Sequence, residues 1–205
     1  MAARASGLTL VSHDGSRFFF DPGALCLEFL TTGGPGELAR WDVLHQPGDL
    51  AAWLAQSQLR LDPAQVTVSA DELAAARRLR DALWRFARAR VAGQSTPAAD
   101  LATVNDLAGP APLVPRLTAG TGADTVHSWA LPATGTSALA TIARDAVDLF
   151  SGPYADRIRE CAGYCYLIFV DTSRPGRRRW CAMERCGNRQ KVRAIRARQK
   201  PTGAD

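Results

Sequence analysis

Apolar residues that recur every three or four positions dominate the middle of the chain and predict amphipathic helices. The longest such stripe comprises Leu73, Ala76, Leu79, Leu83 and Phe86. Ser69 is placed to cap this helix at its N-terminus, and Gly93 ends it. Shorter stripes predict helices over residues 50–55, with Asp49 as the N-cap, and over residues 98–107 and 137–150.

Other stretches combine β-favouring residues with turn signals and predict hairpins. Residues 8–12 and 17–20 flank Asp14-Gly15, a dipeptide favoured in two-residue turns because both positions take positive φ. A second hairpin is predicted from residues 113–118 and 125–131. The apolar residues 24–31 fit either a buried strand or a short helix, because their periodicity does not decide.

Two charged residues, Glu28 and Arg80, lie in or beside these apolar patterns. A buried charge needs a partner. We therefore predict that Arg80 is partly buried and pairs with a carboxylate, with Glu28 as the first candidate. The alternative is that these residues form a polar anchor in a ligand pocket.

The predicted elements indicate an α+β protein with two domains. Residues 1–153 form a mainly helical domain with β-hairpins, and residues 154–205 form a small C-terminal module, with Ser151-Gly-Pro153 at the boundary. Of the 205 residues, 46% are hydrophobic and 22% are charged, which is typical of soluble globular proteins. No apolar run approaches the roughly 20 residues that a transmembrane helix needs, and residues 1–7 lack the apolar core of a signal peptide. We therefore expect a cytoplasmic protein that does not bind membranes.

Four of the five cysteines form two close pairs, Cys161 with Cys165 and Cys181 with Cys186. In a reducing compartment, such clusters bind metal more often than they form disulfides. Structural zinc sites take four tetrahedral ligands as two pairs, so we predict Zn²⁺ at these cysteines. A disulfide-stapled tail and an iron–sulfur site are the alternatives. The fifth cysteine, Cys26, stands between two leucines and is expected to be a buried apolar residue.

The residues around these cysteines predict a treble-clef-like zinc module. Residues 166–170 have strand composition, Arg174-Pro-Gly176 is a turn, and residues 177–180 are the returning strand. A helix is predicted over residues 188–200, directly after the last ligand. So small a module has little core of its own, and metal binding would contribute to its folding free energy.

Charge is distributed unequally between the two parts. From Arg157 onward there are 13 Lys and Arg against 4 Asp and Glu, whereas acidic residues outnumber basic ones before it. A basic tail indicates a polyanionic partner. The candidate nucleic-acid contacts are Arg177, Arg178, Arg179, Asn188, Arg189, Lys191, Arg193, Arg196, Arg198 and Lys200.

Helical geometry orders the last of these candidates. At about 100° per residue, Arg189, Arg193, Arg196 and Lys200 fall on one stripe of the predicted C-terminal helix. Val192 and Ile195 lie beside this stripe and are expected to pack on the zinc hairpin. The N-terminus of such a helix, here Asn188 and Arg189, is where recognition helices contact DNA bases.

These residues resemble a known family. Residues 180–191 strongly resemble the signature of the CGNR zinc fingers, which are named after Cys186-Gly-Asn-Arg189. Residues 25–32 and 79–83 are similar to the ABATE domain that accompanies this finger. The resemblance implies a bacterial, stress-induced transcription regulator with zinc on the four paired cysteines and duplex DNA as the partner. Family members usually have four residues between the first two cysteines, whereas this chain has three.

The leading hypothesis is a zinc-dependent, DNA-binding transcription regulator whose N-terminal domain senses a signal or dimerises. The alternative is a zinc module for RNA binding or protein docking, with Trp180 and Tyr166 stacking on unpaired bases. A small-molecule effector and a homodimer are left open. An enzyme is not expected, because four cysteines leave no open position on zinc and the three histidines lack metal-ligand spacing.

Overall fold

A computed structural model describes residues 7–12, 14–122, 124–163 and 165–199, with side chains at all of these positions except 194 and 196–199. Within them the α-helices are α1 (Leu25–Phe29), α2 (Pro47–Gln56), α3 (Ala70–Val91), α4 (Ala98–Ala108), α5 (Gly135–Ser151) and α6 (Asn188–Gln199). The strands are β1 (Leu8–Val11), β2 (Arg17–Phe20), β3 (Val66–Thr67), β4 (Pro115–Ala119), β5 (Thr125–Trp129), β6 (Ala133–Thr134), β7 (Ile158–Glu160) and β8 (Ile168–Val170). They pair as two-stranded sheets, β1 with β2, β3 with β6, β4 with β5 and β7 with β8. The predicted α+β class, a helical part followed by a small cysteine-rich module, is confirmed.

Helix α3 is the centre of the helical body, which we define as residues 25–151. Its N-terminus is a capping box, in which Ser69 accepts a hydrogen bond from the Glu72 amide and the Glu72 carboxylate accepts one from the Ser69 amide. Gly93, with φ of 67°, follows its last turn. The predicted cap and end of this helix are therefore confirmed.

The N-termini of α3 and α5 are joined at one point. Strands β3 and β6, which precede the two helices, pair in parallel. The Glu72 carboxylate bonds Ser69 within its own capping box and also accepts hydrogen bonds from the amide and hydroxyl of Thr136 in α5, at 2.7 and 2.8 Å. One side chain thus satisfies amides at the start of both helices, which otherwise lack intrahelical partners.

The core of the body lies where α3 and α5 pack with α1, α2 and α4. The predicted apolar stripes supply it: Leu79 and Leu83 of α3 and Leu139 and Ile142 of α5 are at most 1% exposed. Residues 24–31, which fitted either a strand or a helix, form α1 and a following 3₁₀ turn. Cys26 is fully buried there, as expected, and its amide donates to the Asp145 carboxylate at 2.8 Å.

Both predicted hairpins are confirmed. Strands β1 and β2 pair antiparallel, with Leu8 opposite Phe20 and Val11 opposite Arg17. Strands β4 and β5 also pair antiparallel and are largely exposed to solvent.

Two details of the prediction are wrong. Helix α2 begins at Pro47 after an N-cap at Gln46, and Asp49 lies three residues into the capping box, where its carboxylate accepts from the Gln46 amide. Residues 177–180 form no strand, and β8 pairs with β7 instead. The physical reason is that the backbone of this segment bonds elsewhere, with the Arg178 amide on the Asp171 carboxylate and the Arg179 carbonyl accepting from Ala162.

Among the described residues, no helix combines the length and apolar character needed to cross a membrane.

Candidate metal centre and basic surface

The four paired cysteines come together in the cysteine module, which we define as residues 158–199. Cys161 directly follows β7, and its amide donates to the Leu167 carbonyl at 2.8 Å, which closes the first knuckle. Cys186 lies in a π-type helical turn, Met183–Gly187, that leads directly into α6. The orientation of α6 is therefore tied to a metal ligand, as predicted.

The four sulfur atoms have the geometry of a tetrahedral zinc site. All of them lie within 4.8 Å of one another. The Sγ–Sγ distances are 3.6 Å between Cys165 and Cys181, 3.5 Å between Cys181 and Cys186, and 3.7 Å between Cys186 and Cys165. Zn–S bonds of about 2.3 Å place tetrahedral sulfurs roughly 3.8 Å apart. A disulfide needs about 2.05 Å, and all five cysteines are free thiols.

Hydrogen bonds within the cluster already favour thiolate at one position. Hydrogen bonds from Cys165 and Cys181 lower the pKa of Cys161. The bond shared with Cys161 raises the pKa of Cys165 and that of Cys181. The amides of Gly163 and Cys181 donate to the Cys161 sulfur at 3.4 and 3.3 Å. Because zinc takes all four groups as thiolates, metal binding at this site must release protons.

A glycine makes the short first knuckle fit. A Cβ atom at Gly163 would lie 2.9 Å from the Cys186 sulfur and 3.5 Å from the Cys161 sulfur. Only glycine allows the backbone to approach the sulfurs this closely. The knuckle with three intervening residues therefore still brings Cys161 and Cys165 into one cluster with the second pair.

Aromatic residues from a distant part of the sequence cover this cluster. Phe18 and Phe20 of β2 form one buried cluster with Phe169 of β8 and with Cys161, Cys181 and Cys186. Phe20 and Phe169 are fully buried. We call residues 8–20 the N-terminal hairpin. Sequence reasoning missed this contact, although three consecutive phenylalanines in β2 put apolar side chains on both faces of the strand, at least one of which must be covered.

Polar contacts also hold the N-terminal hairpin on the module. The Phe19 amide donates to the Glu184 carboxylate at 3.1 Å. The Arg185 guanidinium lies over the Phe18 ring, 4.4 Å from its centroid. Arg189, the arginine of Cys-Gly-Asn-Arg, forms an ion pair with Asp14 in the hairpin turn. Hydrogen bonds from Ser12 and Ser16 hold the pKa of Asp14 well below its usual value, so this carboxylate is ionised at neutral pH.

The predicted nucleic-acid contacts divide into exposed and inward-facing residues. Arg177, Arg179, Asn188, Lys191 and Arg193 are exposed, and so is Arg189. The backbones of Arg196 and Arg198 belong to α6, but their side chains, and the whole of Lys200, lie outside the described residues.

Arg178 is a correction to the predicted basic set. Its guanidinium donates to the carbonyls of Asp21, Trp180 and Cys181 at 2.7–3.1 Å and lies 4.1 Å from the Phe169 ring centroid. Burial lowers its pKa. Arg178 therefore fastens the second knuckle to the chain before α1, and its guanidinium serves the protein's own carbonyls instead of a nucleic-acid surface.

Other predicted packing in the module also differs. Val192 and Ile195 are 45% and 52% exposed, so they do not pack inward as expected. The hairpin expected to receive them does not form, and the aromatic residues over the cysteines come from β2 and β8 instead. Asp171, which the sequence reading passed over, is fully buried and accepts from Ser173 and from the Arg178 amide.

The predicted pair of Glu28 with Arg80 is wrong. Arg80 is 3% exposed and pairs with Asp42 at 3.0 Å and Asp81 at 3.1 Å. The Glu28 carboxylate instead accepts from the Gln58 amide and side chain, at 2.9 and 3.0 Å. Burial raises the pKa of Glu28 to about 7. The burial of Arg80 and its need for a carboxylate were predicted correctly, but sequence spacing cannot identify a partner that tertiary folding supplies.

Comparison with known families gives one match over the helical part of the chain and another over the cysteine-rich part. Residues 23–153 match the ABATE family model, described as "Putative stress-induced transcription regulator". Residues 157–199 match the CGNR zinc finger model. No curated protein matches the chain. The zinc-finger match and the sulfur geometry together identify Cys161, Cys165, Cys181 and Cys186 as a zinc-binding site.

Proposed function

Because this chain belongs to the ABATE family and ends in a CGNR zinc finger, we propose that it is a zinc-dependent transcription regulator that binds duplex DNA. Zinc held by the four cysteines fixes the direction of α6. The cysteines fill all four tetrahedral positions, so the metal serves structure rather than catalysis. The bacterial, cytoplasmic and stress-responsive setting belongs to the same proposal.

One observation carries the proposal: arginines from two parts of the sequence line a single open groove. Arg17 of the N-terminal hairpin faces Arg185, Arg189 and Arg193 of the cysteine module across this groove of about 590 Å³. Guanidinium groups neutralise phosphates and bind them through paired hydrogen bonds. We therefore add Arg17 and Arg185 to the proposed DNA-binding surface.

The start of α6 lies in the same groove. Asn188 lines it beside Arg189, and amide and guanidinium side chains can bond base edges in the major groove. Exposed Arg177, Arg179 and Lys191 extend the positive charge around the finger. We propose that these side chains contact phosphates, whereas Asn188 and Arg189 are nearest to the bases.

The RNA-binding alternative has less support, because both candidate stacking residues are already engaged. Trp180 is half-buried, with Arg179 5.2 Å from its ring centroid and Gly187 against its ring edge. Tyr166 is half-buried, with Arg88 5.6 Å from its ring centroid. Unpaired bases would have to displace these contacts in order to stack.

The test is the salt dependence of duplex binding by the zinc-loaded protein. We expect affinity to fall steeply with salt, and Arg177→Ala with Arg193→Ala to reduce the logarithmic salt slope by about 2, since each phosphate contact contributes about 0.9. The matched control is Arg78→Ala with Arg116→Ala, which removes equal charge from exposed positions of the helical body.

Three outcomes would contradict the proposal. The first is equal binding by the two double variants, and the second is undiminished binding after zinc removal. The third is preferential binding of single-stranded RNA in direct competition with duplex DNA, which would favour the alternative.

We also propose a refinement of the division between residues 1–153 and 154–205. The helical body would sense a signal or dimerise, as its family description suggests regulation. The N-terminal hairpin would belong physically to the finger, because Phe18 and Phe20 complete the aromatic cluster around the cysteines. The DNA-binding unit would then combine residues 8–20 with residues 158–199.

A further inference from the structure

A second cavity lies where the N-terminal hairpin, the helical body and the cysteine module meet. Its volume is about 430 Å³, within the range of roughly 300–1,000 Å³ typical of small-molecule sites. The hairpin contributes Val11 and Phe18, the body contributes Trp41 and Trp84, and the module contributes Tyr166. A molecule bound here would contact all three parts at once.

The cavity wall is aromatic and its rim exposes apolar side chains to solvent. Val11 is 61% exposed, Trp41 38% and Val43 50%, and all three line the cavity. Large apolar residues exposed together, unlike single ones, mark a surface that binds something apolar. A flat hydrophobic ligand would cover them and remove this surface from water.

Two aromatic walls are fixed before any ligand arrives. The Trp84 indole donates to the Gly33 carbonyl at 2.6 Å, and a Cβ atom at Gly34 would lie 2.6 Å from that ring. Tyr166 has a positive φ of 58°, a conformation that is rare for a bulky residue and that concentrates at ligand sites. The cavity is therefore preformed, which lowers the entropic cost of binding.

Two arginines, Arg185 and Arg189, line the cavity, and none of the described residues that line it is a carboxylate. Arg189 is paired with Asp14 outside the lining, and the Tyr166 hydroxyl donates to Glu37 at 3.4 Å. Arg185 forms no ion pair among the described residues, so it is the cation offered to a ligand. The Nε atom of Arg185 is buried and makes no hydrogen bond within the described part of the chain. A buried donor without a partner is costly, and an oxygen of a bound anion would satisfy it.

We propose that this cavity binds a small aromatic carboxylate, with the ring between Trp41 and Trp84 and the carboxylate on Arg185. Arg185 and Arg189 link the site to DNA, because both line this cavity and the groove beside α6. A carboxylate bound in this cavity draws Arg189 away from Asp14 and from the DNA phosphates. Ligand binding and DNA binding therefore each lower the affinity of the protein for the other. This consequence, unlike ligand binding itself, rests on the proposed function.

Calorimetric titration of the zinc-loaded full chain with 2-naphthoate and with its uncharged isostere 2-naphthamide tests the site. We expect one naphthoate per chain and binding of the amide at least about tenfold weaker, since charged hydrogen bonds are worth more than neutral ones. Arg185→Gln should weaken naphthoate to the level of the amide. Arg177→Gln, an exposed arginine of the same module outside the cavity, should not.

A second variant avoids any effect of Arg185 on the metal site. Val43→Glu places a negative charge at the half-exposed rim, far along the chain from the cysteines, and should repel naphthoate while sparing naphthamide. The proposal is overturned if neither compound binds at millimolar concentration, if both bind equally, or if neither variant changes naphthoate affinity.

Titration with duplex DNA separates this inference from the proposed function. Naphthoate binding by a protein that does not bind duplex DNA would support the proposed ligand site and contradict the proposed function. Duplex binding without any binding of naphthoate would support the proposed function and contradict the ligand site. Weaker duplex binding in the presence of naphthoate, restored in Val43→Glu, would support both.

Discussion

The core of the helical body buries mainly leucine and alanine side chains and also takes in Ile158, Ile168 and Val170 of β7 and β8. The residues around the cysteines and the N-terminal hairpin instead share three buried phenylalanines and a group of thiols. Burial of apolar area supplies most of the folding free energy of an ordinary domain. The smaller cluster cannot supply as much, and its four sulfurs instead converge on one ion. The body is therefore expected to be stable by packing and the module by zinc, so each should fail under different perturbations.

The largest expected effect is the loss of a zinc ligand. Cys186→Ser should abolish stoichiometric zinc and unfold the module, because structural zinc contributes about 10 kcal/mol or more. Helical circular dichroism should largely persist, since most helical residues lie in the body. The matched control is Cys26→Ser, at a buried cysteine outside the cluster. Equal zinc loss in both variants, measured by native mass spectrometry, would contradict this account.

The second prediction tests whether the N-terminal hairpin belongs to the module. Phe20→Ala should cost about 3–5 kcal/mol, as expected for a fully buried aromatic residue, and should weaken zinc retention against a competing chelator. Phe19→Ala is the control, because this neighbour on the opposite face of β2 is 45% exposed. If Phe20→Ala destabilised the body while zinc retention stayed unchanged, the hairpin would belong to the body.

The third prediction concerns the core of the body. Leu83→Ala removes a 1%-exposed side chain from α3 and should lower the free energy of unfolding by about 2–5 kcal/mol. Zinc retention should not change, because Leu83 lies in the other cluster. Chemical denaturation combined with a zinc-release assay measures both quantities, and parallel losses in both would show that the two regions are not distinct.

The smallest predicted effect is a pH dependence confined to the body. Burial raises the pKa of Glu28 from 4.5 to about 7, so the folded state holds a proton that the unfolded state releases. The free energy of unfolding should therefore fall as pH rises from about 4.5 to 7, by on the order of 2 kcal/mol. Glu28→Gln should reduce the dependence of the free energy of unfolding on pH, whereas Glu37→Gln, at an exposed position, should leave this dependence unchanged. An unchanged slope in Glu28→Gln would refute the assignment.

Local signals in the sequence predicted most of the helices and hairpins. The capping box of Ser69 and Glu72 starts the helix in which it lies, and the Asp14-Gly15 turn joins the two strands next to it. Because both signals act on neighbouring residues, they can be recognised without a structure. The cysteine cluster was equally predictable, because the two short spacings restrict each pair to one turn. Zinc chemistry then requires that the two pairs meet.

Contacts between distant segments were not predictable from the same signals. The pairing of Arg80 with Asp42 joins residues 38 positions apart, and several acidic residues were equally plausible partners. The packing of Phe20 on the cysteines joins opposite ends of the chain. The returning strand predicted at residues 177–180 does not form, because the hydrogen bond from the Arg178 amide to the buried Asp171 carboxylate holds the segment as a loop.

Hydrogen–deuterium exchange of the full chain, before and after zinc removal, tests the division most directly. We predict that residues 8–20 and 180–199 lose protection together when zinc is removed, while α3 and α5, with β7 and β8 that share their core, keep theirs. Loss of protection throughout the chain, or continued protection of residues 8–20 after zinc removal, would contradict the account.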